Sequence, residues 1–123
     1  MKIENEEILI IDISAHAIHI HNSGMLYYEQ NDYERAEFYL EEALNIKLKT
    51  HGEKHLNTAT EYNNLGLVYM KLHNNDKAMD YLNKALNIQL TEYGELNMNT
   101  ANLYTNLGIM YYAMNRYREA KIV

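Results

Sequence analysis

Apolar residues recur along this chain every three or four positions, the period of an amphipathic helix. Between residues 62 and 72 they are Tyr62, Leu65, Leu67, Val68, Tyr69 and Leu72. Asn74 and Asn75 follow, and asparagine is among the best helix N-caps because its side-chain oxygen accepts a free N–H of the first turn. A second stripe then runs through Ala78, Tyr81, Leu82, Ala85, Leu86 and Ile88. Gly94 comes after it and suits a helix C-cap. Thr58 and Glu61 have capping-box spacing, which places the start of the first of these two helices near Thr58. The same pair is predicted upstream: a helix from Ile13 to Gln30, a turn at Asn31 and Asp32, and a second helix to about Thr50 with Gly52 after it. Proline is absent, so the commonest helix interruption is missing.

The two pairs are copies of one unit. Gly24, Gly66 and Gly108 recur every 42 residues, and Gly52 and Gly94 share that spacing. NSGMLYY at Asn22 aligns with NLGLVYM at Asn64 and NLGIMYY at Asn106. YLEEALNIKL at Tyr39 aligns with YLNKALNIQL at Tyr81. The organisation expected is an N-terminal cap or extension over residues 1–12, repeats over 13–54 and 55–96, and a partial third repeat over 97–123 that stops inside its second helix. A glycine inside a helix loses about 1 kcal/mol relative to alanine, yet it returns with the repeat. Ala36, Ala78 and Ala120 each follow a glycine by twelve residues, on the second helix. Two small residues facing each other would let the helix backbones approach closely, and that packing offsets the lost propensity.

The motif Tyr62-x2-Leu65-Gly66-x2-Tyr69, followed by Ala78, Leu82 and Ala85, resembles the tetratricopeptide repeat. The first repeat agrees at Gly24, Tyr27, Ala36, Leu40 and Ala43 and departs at Ile20 and Ser23. The third agrees at Tyr104, Leu107, Gly108, Tyr111 and Ala120. The 42-residue period is most similar to the kinesin-light-chain subtype. The resemblance spans about residues 13 to 123 and implies an all-α fold, with helical hairpins stacked as a right-handed α-solenoid. Stacking is what closes the core, since no single hairpin can bury its own apolar stripe.

The resemblance also implies a function: a protein-binding scaffold that holds an extended peptide segment of a partner in the concave groove lined by the first helices. Carried onto this chain, the groove positions are Asn22, Met25 and Tyr28 in the first repeat, with His21 and Glu29 beside them. In the second they are Asn63, Asn64, Leu67, Met70 and Lys71, with Thr60, and in the third Asn102, Thr105, Asn106, Ile109 and Tyr112. Asn22, Asn64 and Asn106 form a ladder, each two residues before a glycine. A side-chain amide offers both donors and an acceptor, which matches the free N–H and C=O of an extended peptide. The competing reading is that the ladder bonds a neighbouring helix and serves packing. A clamp on two carboxylates is not expected, because Lys71 is the single firm cation among these positions.

Composition narrows the alternatives. The net charge of −6 and the lack of any Lys/Arg run argue against nucleic acid. The apolar run from Ile8 to Ile11 is too short for a membrane span and has acidic flanks, so a cytoplasmic protein is expected. Without cysteine there is no disulfide and no thiolate metal site. His16, His19 and His21 are the only dense group of metal-ligand types, and two histidines on one helical face lack a third ligand. No nucleophile elbow or phosphate loop occurs, so neither enzymatic activity nor a cofactor or metal is expected. A second function class is self-association. The apolar face of Tyr104, Leu107, Tyr111 and Met114 would lack cover in an incomplete repeat: either a homo-oligomer covers it, or the sequence is a fragment of a longer structural repeat array, and in both cases no separate peptide ligand is needed.

Overall fold

The computed structural model describes residues 2–122, with side chains from residue 12 to residue 115 together with Glu7 and Leu9. Five helices account for the ordered elements: α1 (Lys2–Glu29), α2 (Tyr33–Thr50), α3 (Leu56–Lys71), α4 (Asn75–Tyr93) and α5 (Met98–Ile122). No strand occurs among the described residues. Helix α1 pairs with α2 and α3 with α4. Each hairpin then stacks on the next through α2 against α3 and α4 against α5. Helices α1, α3 and α5 therefore form one layer of an all-α solenoid, and α2 and α4 the other. The core threads between the layers through Leu40, Leu44, Leu65, Val68, Leu82, Leu103, Leu107 and Met110.

Local sequence explains the hairpins. Asn31 and His73 take positive φ of 64° and 61°, a conformation open to few residues besides glycine but enriched in asparagine and histidine. The next N–H then reaches back into the helix, from Asp32 to Tyr27 O and from Asn74 to Tyr69 O, both at 2.9 Å. These bonds close the helix end in the manner of a Schellman motif. Asp32 and Asn74 immediately cap the following helices, accepting from the N–H of Arg35 at 3.2 Å and Lys77 at 3.3 Å. Gly52 and Gly94, at φ of 86° and 79°, end α2 and α4.

Four expectations change. Helix α3 starts at Leu56, not Thr58, and His55 caps it by accepting from the Asn57 N–H at 3.0 Å. Thr58 lies inside the helix, where its hydroxyl donates to Gly52 O at 2.7 Å and lashes the helix start to the loop. Thr100 does the same to Gly94 O at 3.0 Å. Thr58 and Glu61 are therefore no capping box. Helix α1 begins at Lys2 rather than Ile13, since no glycine or proline in residues 2–12 stops it.

The third change is that α5 runs unbroken to Ile122 instead of turning into a second helix near Asn115. Arg116 stands where Asp32 and Asn74 stand in the other repeats, so the acceptor that would cap a new helix is missing. The fourth concerns the glycines. A Cβ built on Gly66 would lie 2.6 Å from Leu82 Cδ2 and 3.5 Å from the Ala78 carbonyl oxygen. On Gly24 it would lie 2.8 Å from Leu40 Cγ. The close approach is real, but a leucine fills the space above the glycine, and the alanine contributes its backbone. At Gly108 a Cβ would meet nothing within 4 Å. The side chain of Ala120, its expected partner, lies outside the described residues.

Candidate functional site

All thirteen groove candidates lie on α1, α3 and α5, the helices of one layer. Two side-chain links set these helices side by side. His21 on α1 reaches Glu61 on α3, and Asn106 on α5 donates to Asn63 Oδ1 on α3 at 3.1 Å. None of the candidates is buried. Asn22, Lys71, Asn102, Thr105, Ile109 and Tyr112 are exposed, while Met25, Tyr28, Asn63, Asn64, Leu67, Met70 and Asn106 are half-buried. Met25, Tyr28 and Met70 rest partly on the core, so each shows a ligand only one side. The Thr105 hydroxyl returns to Ala101 O at 3.1 Å within its own helix.

The asparagine ladder is not uniform. The Asn106 amide is engaged with Asn63, as the packing reading requires of it. Asn22 and Asn64 have no such bond, and both stand beside an apolar side chain one turn on, Met25 and Leu67. The surface therefore alternates two open amides with apolar side chains, ending at the exposed Ile109.

Beneath this surface lies a polar cluster that pattern reading missed. Glu61 is fully buried. Its Oε1 accepts from Lys47 Nζ at 2.8 Å and stands 2.5 Å from His21 Nδ1, while neither that nitrogen nor Glu61 Oε2 makes a hydrogen bond. The cluster joins α1, α2 and α3. A signal for it does exist in the sequence. One repeat later, Glu61 and Lys47 correspond to Leu103 and Gln89, and one repeat earlier Glu61 corresponds to His19. A charge at a core-facing position that breaks the repeat marks a special junction. A second network lies on the α2 side. The Glu41 carboxylate accepts from Tyr69 Oη at 2.7 Å and Tyr81 Oη at 3.0 Å. Burial first, and then the Glu41 carboxylate, push both phenols well above their ordinary ionisation range.

His16 and His19 are exposed and His21 is committed to Glu61. Among the described residues no three His, Asp or Glu side chains converge on a metal position. No described helix is long and apolar enough to cross a membrane.

Comparison with known proteins agrees with this architecture. A family profile for the tetratricopeptide repeat matches residues 15–89 and, overlapping them, 59–122. No curated protein matches the chain. Among solved structures, the crystal structure of BtubC (BKLC) from P. vanneervenii superposes with a TM-score of 0.75 at 28% identity. The match covers 80% of this chain and 39% of BtubC, so the chain spans about two fifths of that protein's length.

Proposed function

The chain belongs to the tetratricopeptide repeat family, whose members generally bind other proteins, and from that premise we propose that its α1–α3–α5 layer grips an extended peptide segment of a partner protein. The observation that carries this reading is the pair of open amides, Asn22 and Asn64, one per repeat and each beside an apolar side chain. A regularly spaced amide recognises backbone, which every peptide presents, and the apolar neighbours select among side chains. Lys71 adds one exposed cation at the edge of the set. The protein on this reading acts by binding, and the stacked hairpins serve to hold the layer in register.

The test is binding of peptides selected on the wild-type chain from a random peptide library. Asn22→Ala together with Asn64→Ala removes two hydrogen bonds, each worth about 1 kcal/mol, so affinity falls about tenfold or more. Helicity by circular dichroism stays unchanged, because neither amide holds the fold. Undiminished affinity in the double variant refutes the reading. Loss of helicity would assign the two asparagines to packing.

A further inference from the structure

Two rows of side chains cross the α1–α3–α5 layer next to each other. The first is the amide row of Asn22, Asn64 and Asn106. One turn beyond it on each helix stand Met25, Leu67 and Ile109, which share one position of the repeat. All three are apolar and none is buried; Met25 and Leu67 are half-buried and Ile109 is 52% exposed. The next position along, Glu29, Lys71 and Ala113, has no common chemistry. Each repeat therefore presents one amide and one apolar contact at the same height. Side-chain links hold the helices in this register. The Asn106–Asn63 hydrogen bond joins residues 43 apart in the chain, and the His21–Glu61 contact also spans close to one repeat.

Helices whose side chains meet in this way lie about 8–10 Å apart, axis to axis. The apolar row thus offers one contact at each such step, and that spacing discriminates between conformations of a bound chain. A β-strand rises about 3.3 Å per residue and returns a side chain to the same face every second residue, so its same-face spacings are about 6.6 Å and 13 Å. Neither meets successive helices. A polyproline II helix rises about 3.1 Å per residue with three residues per turn, so every third side chain shares a face, about 9.3 Å apart. We infer that the segment held by this layer lies across α1, α3 and α5 in the polyproline II conformation, with an apolar side chain at every third residue seated on Met25, Leu67 and Ile109. The inference rests on the peptide-binding reading above and adds the conformation and sequence period of the ligand. The amide row suits the same ligand. A polyproline II backbone makes no internal hydrogen bonds and leaves its N–H and C=O groups free, and Asn22 and Asn64 carry both donors and acceptors. The Asn106 amide is engaged with Asn63, so the third repeat contributes mainly through Ile109, the most exposed member of the apolar row.

The probes are two capped nine-residue peptides of identical composition, titrated into the wild-type chain. In the first, Leu-Pro-Gln is repeated three times, which sets the leucines three apart. In the second, Leu-Gln is repeated three times and three prolines follow, which sets them two apart. The first should bind and move the amide chemical shifts of Met25, Leu67 and Ile109. The second cannot seat its leucines on successive helices and should bind about tenfold more weakly or worse. Leu67→Gln in the chain should weaken the first peptide about fivefold or more with circular dichroism unchanged, and Ile109→Gln, at an exposed position, should do the same without any risk to the core. Equal affinity for the two peptides overturns the inference. So does failure of the first to bind at millimolar concentration, or binding that both chain variants leave unchanged. Library-selected peptides that depend on Asn22 and Asn64 but carry apolar residues at every second position would overturn the polyproline II geometry while the peptide-binding layer stands. Absence of any library binder together with silence of the first probe would remove the layer itself.

Discussion

Alanine substitution at Gly66 and at Gly108 should change stability in opposite directions, although both glycines occupy the same place in the repeat. In a helix interior, glycine to alanine gains about 1 kcal/mol from propensity alone. At Gly108 that gain stands unopposed, since the added methyl meets nothing within 4 Å. Gly108→Ala should therefore stabilise the chain by about 0.5–1 kcal/mol. At Gly66 the methyl would come 2.6 Å from Leu82 Cδ2 and 2.7 Å from Cγ. The second distance matters more, because Cγ is a branch point and moves only if the whole side chain or the helix moves. Leu82 is fully buried, so it has no free space to move into. Overpacking of this kind costs about 1–3 kcal/mol, which exceeds the propensity gain over most of its range. The expected net is a loss of up to about 2 kcal/mol for Gly66→Ala.

Chemical denaturation followed by circular dichroism reads both changes. For a chain of this length 1 kcal/mol corresponds to about 3–5 °C in Tm. A repeat array can unfold in stages, so the comparison is best made on the transition that hydrogen exchange assigns to α3 and α4. Stabilisation by Gly66→Ala would show that the helices separate easily, and the close-approach account of the repeating glycine would fail. The same sign at both positions would refute it as well.

Two further outcomes follow from the buried groups. Glu61→Ala should lower stability by about 2–3 kcal/mol in urea denaturation, because Lys47 is left half-buried without its counter-charge; Glu61→Leu combined with Lys47→Gln, copying the Leu103–Gln89 junction, should recover most of that loss. His51 is held below the ordinary imidazole value of 6.5 by partial burial and then by the charges of His55 and Lys47. The folded state thus favours its neutral form, and that stability is complete above pH 6.5 and lost as pH falls through the lowered value. His51→Gln should flatten the stability–pH profile between pH 7 and pH 5, and a slope identical to wild type would count against the effect.

Sequence alone reached the hairpins, the repeat and the layer that carries the candidate residues, because each depends on short-range signals that recur. Helical periodicity, an asparagine or aspartate before each second helix and a glycine after it are visible without any partner. What stayed hidden depends on which atoms meet across helices. The glycine was readable as a close contact, but that Leu40 and Leu82 would fill the space, rather than the alanines, required the crossing geometry of the helices. Thr58 and Glu61 have the spacing of a local cap and are both spent on long-range contacts. For α5, agreement at Tyr104, Gly108 and Tyr111 predicted a hairpin, while the single change to Arg116 removes the cap that starts its second half.

The departures from the repeat also explain how such similar hairpins stack in one order. Helices α3 and α5 share their core-facing pattern, so α5 could in principle pack where α3 does, against α2. Position 61 discriminates between the two arrangements. In the native order Glu61 meets Lys47 and His21, and at the next junction the corresponding residues are Leu103 and Gln89, both buried. Exchanging the two helices would bury Glu61 beside Gln89, with no cation to balance it, and set Leu103 against Lys47, which would lose its carboxylate. An uncompensated charge in the interior costs several kcal/mol, whereas the shared apolar contacts would be almost equal in both arrangements. One buried carboxylate that adds little net stability of its own can therefore decide the register, and the register in turn keeps Asn22 and Asn64 in line on the exposed layer.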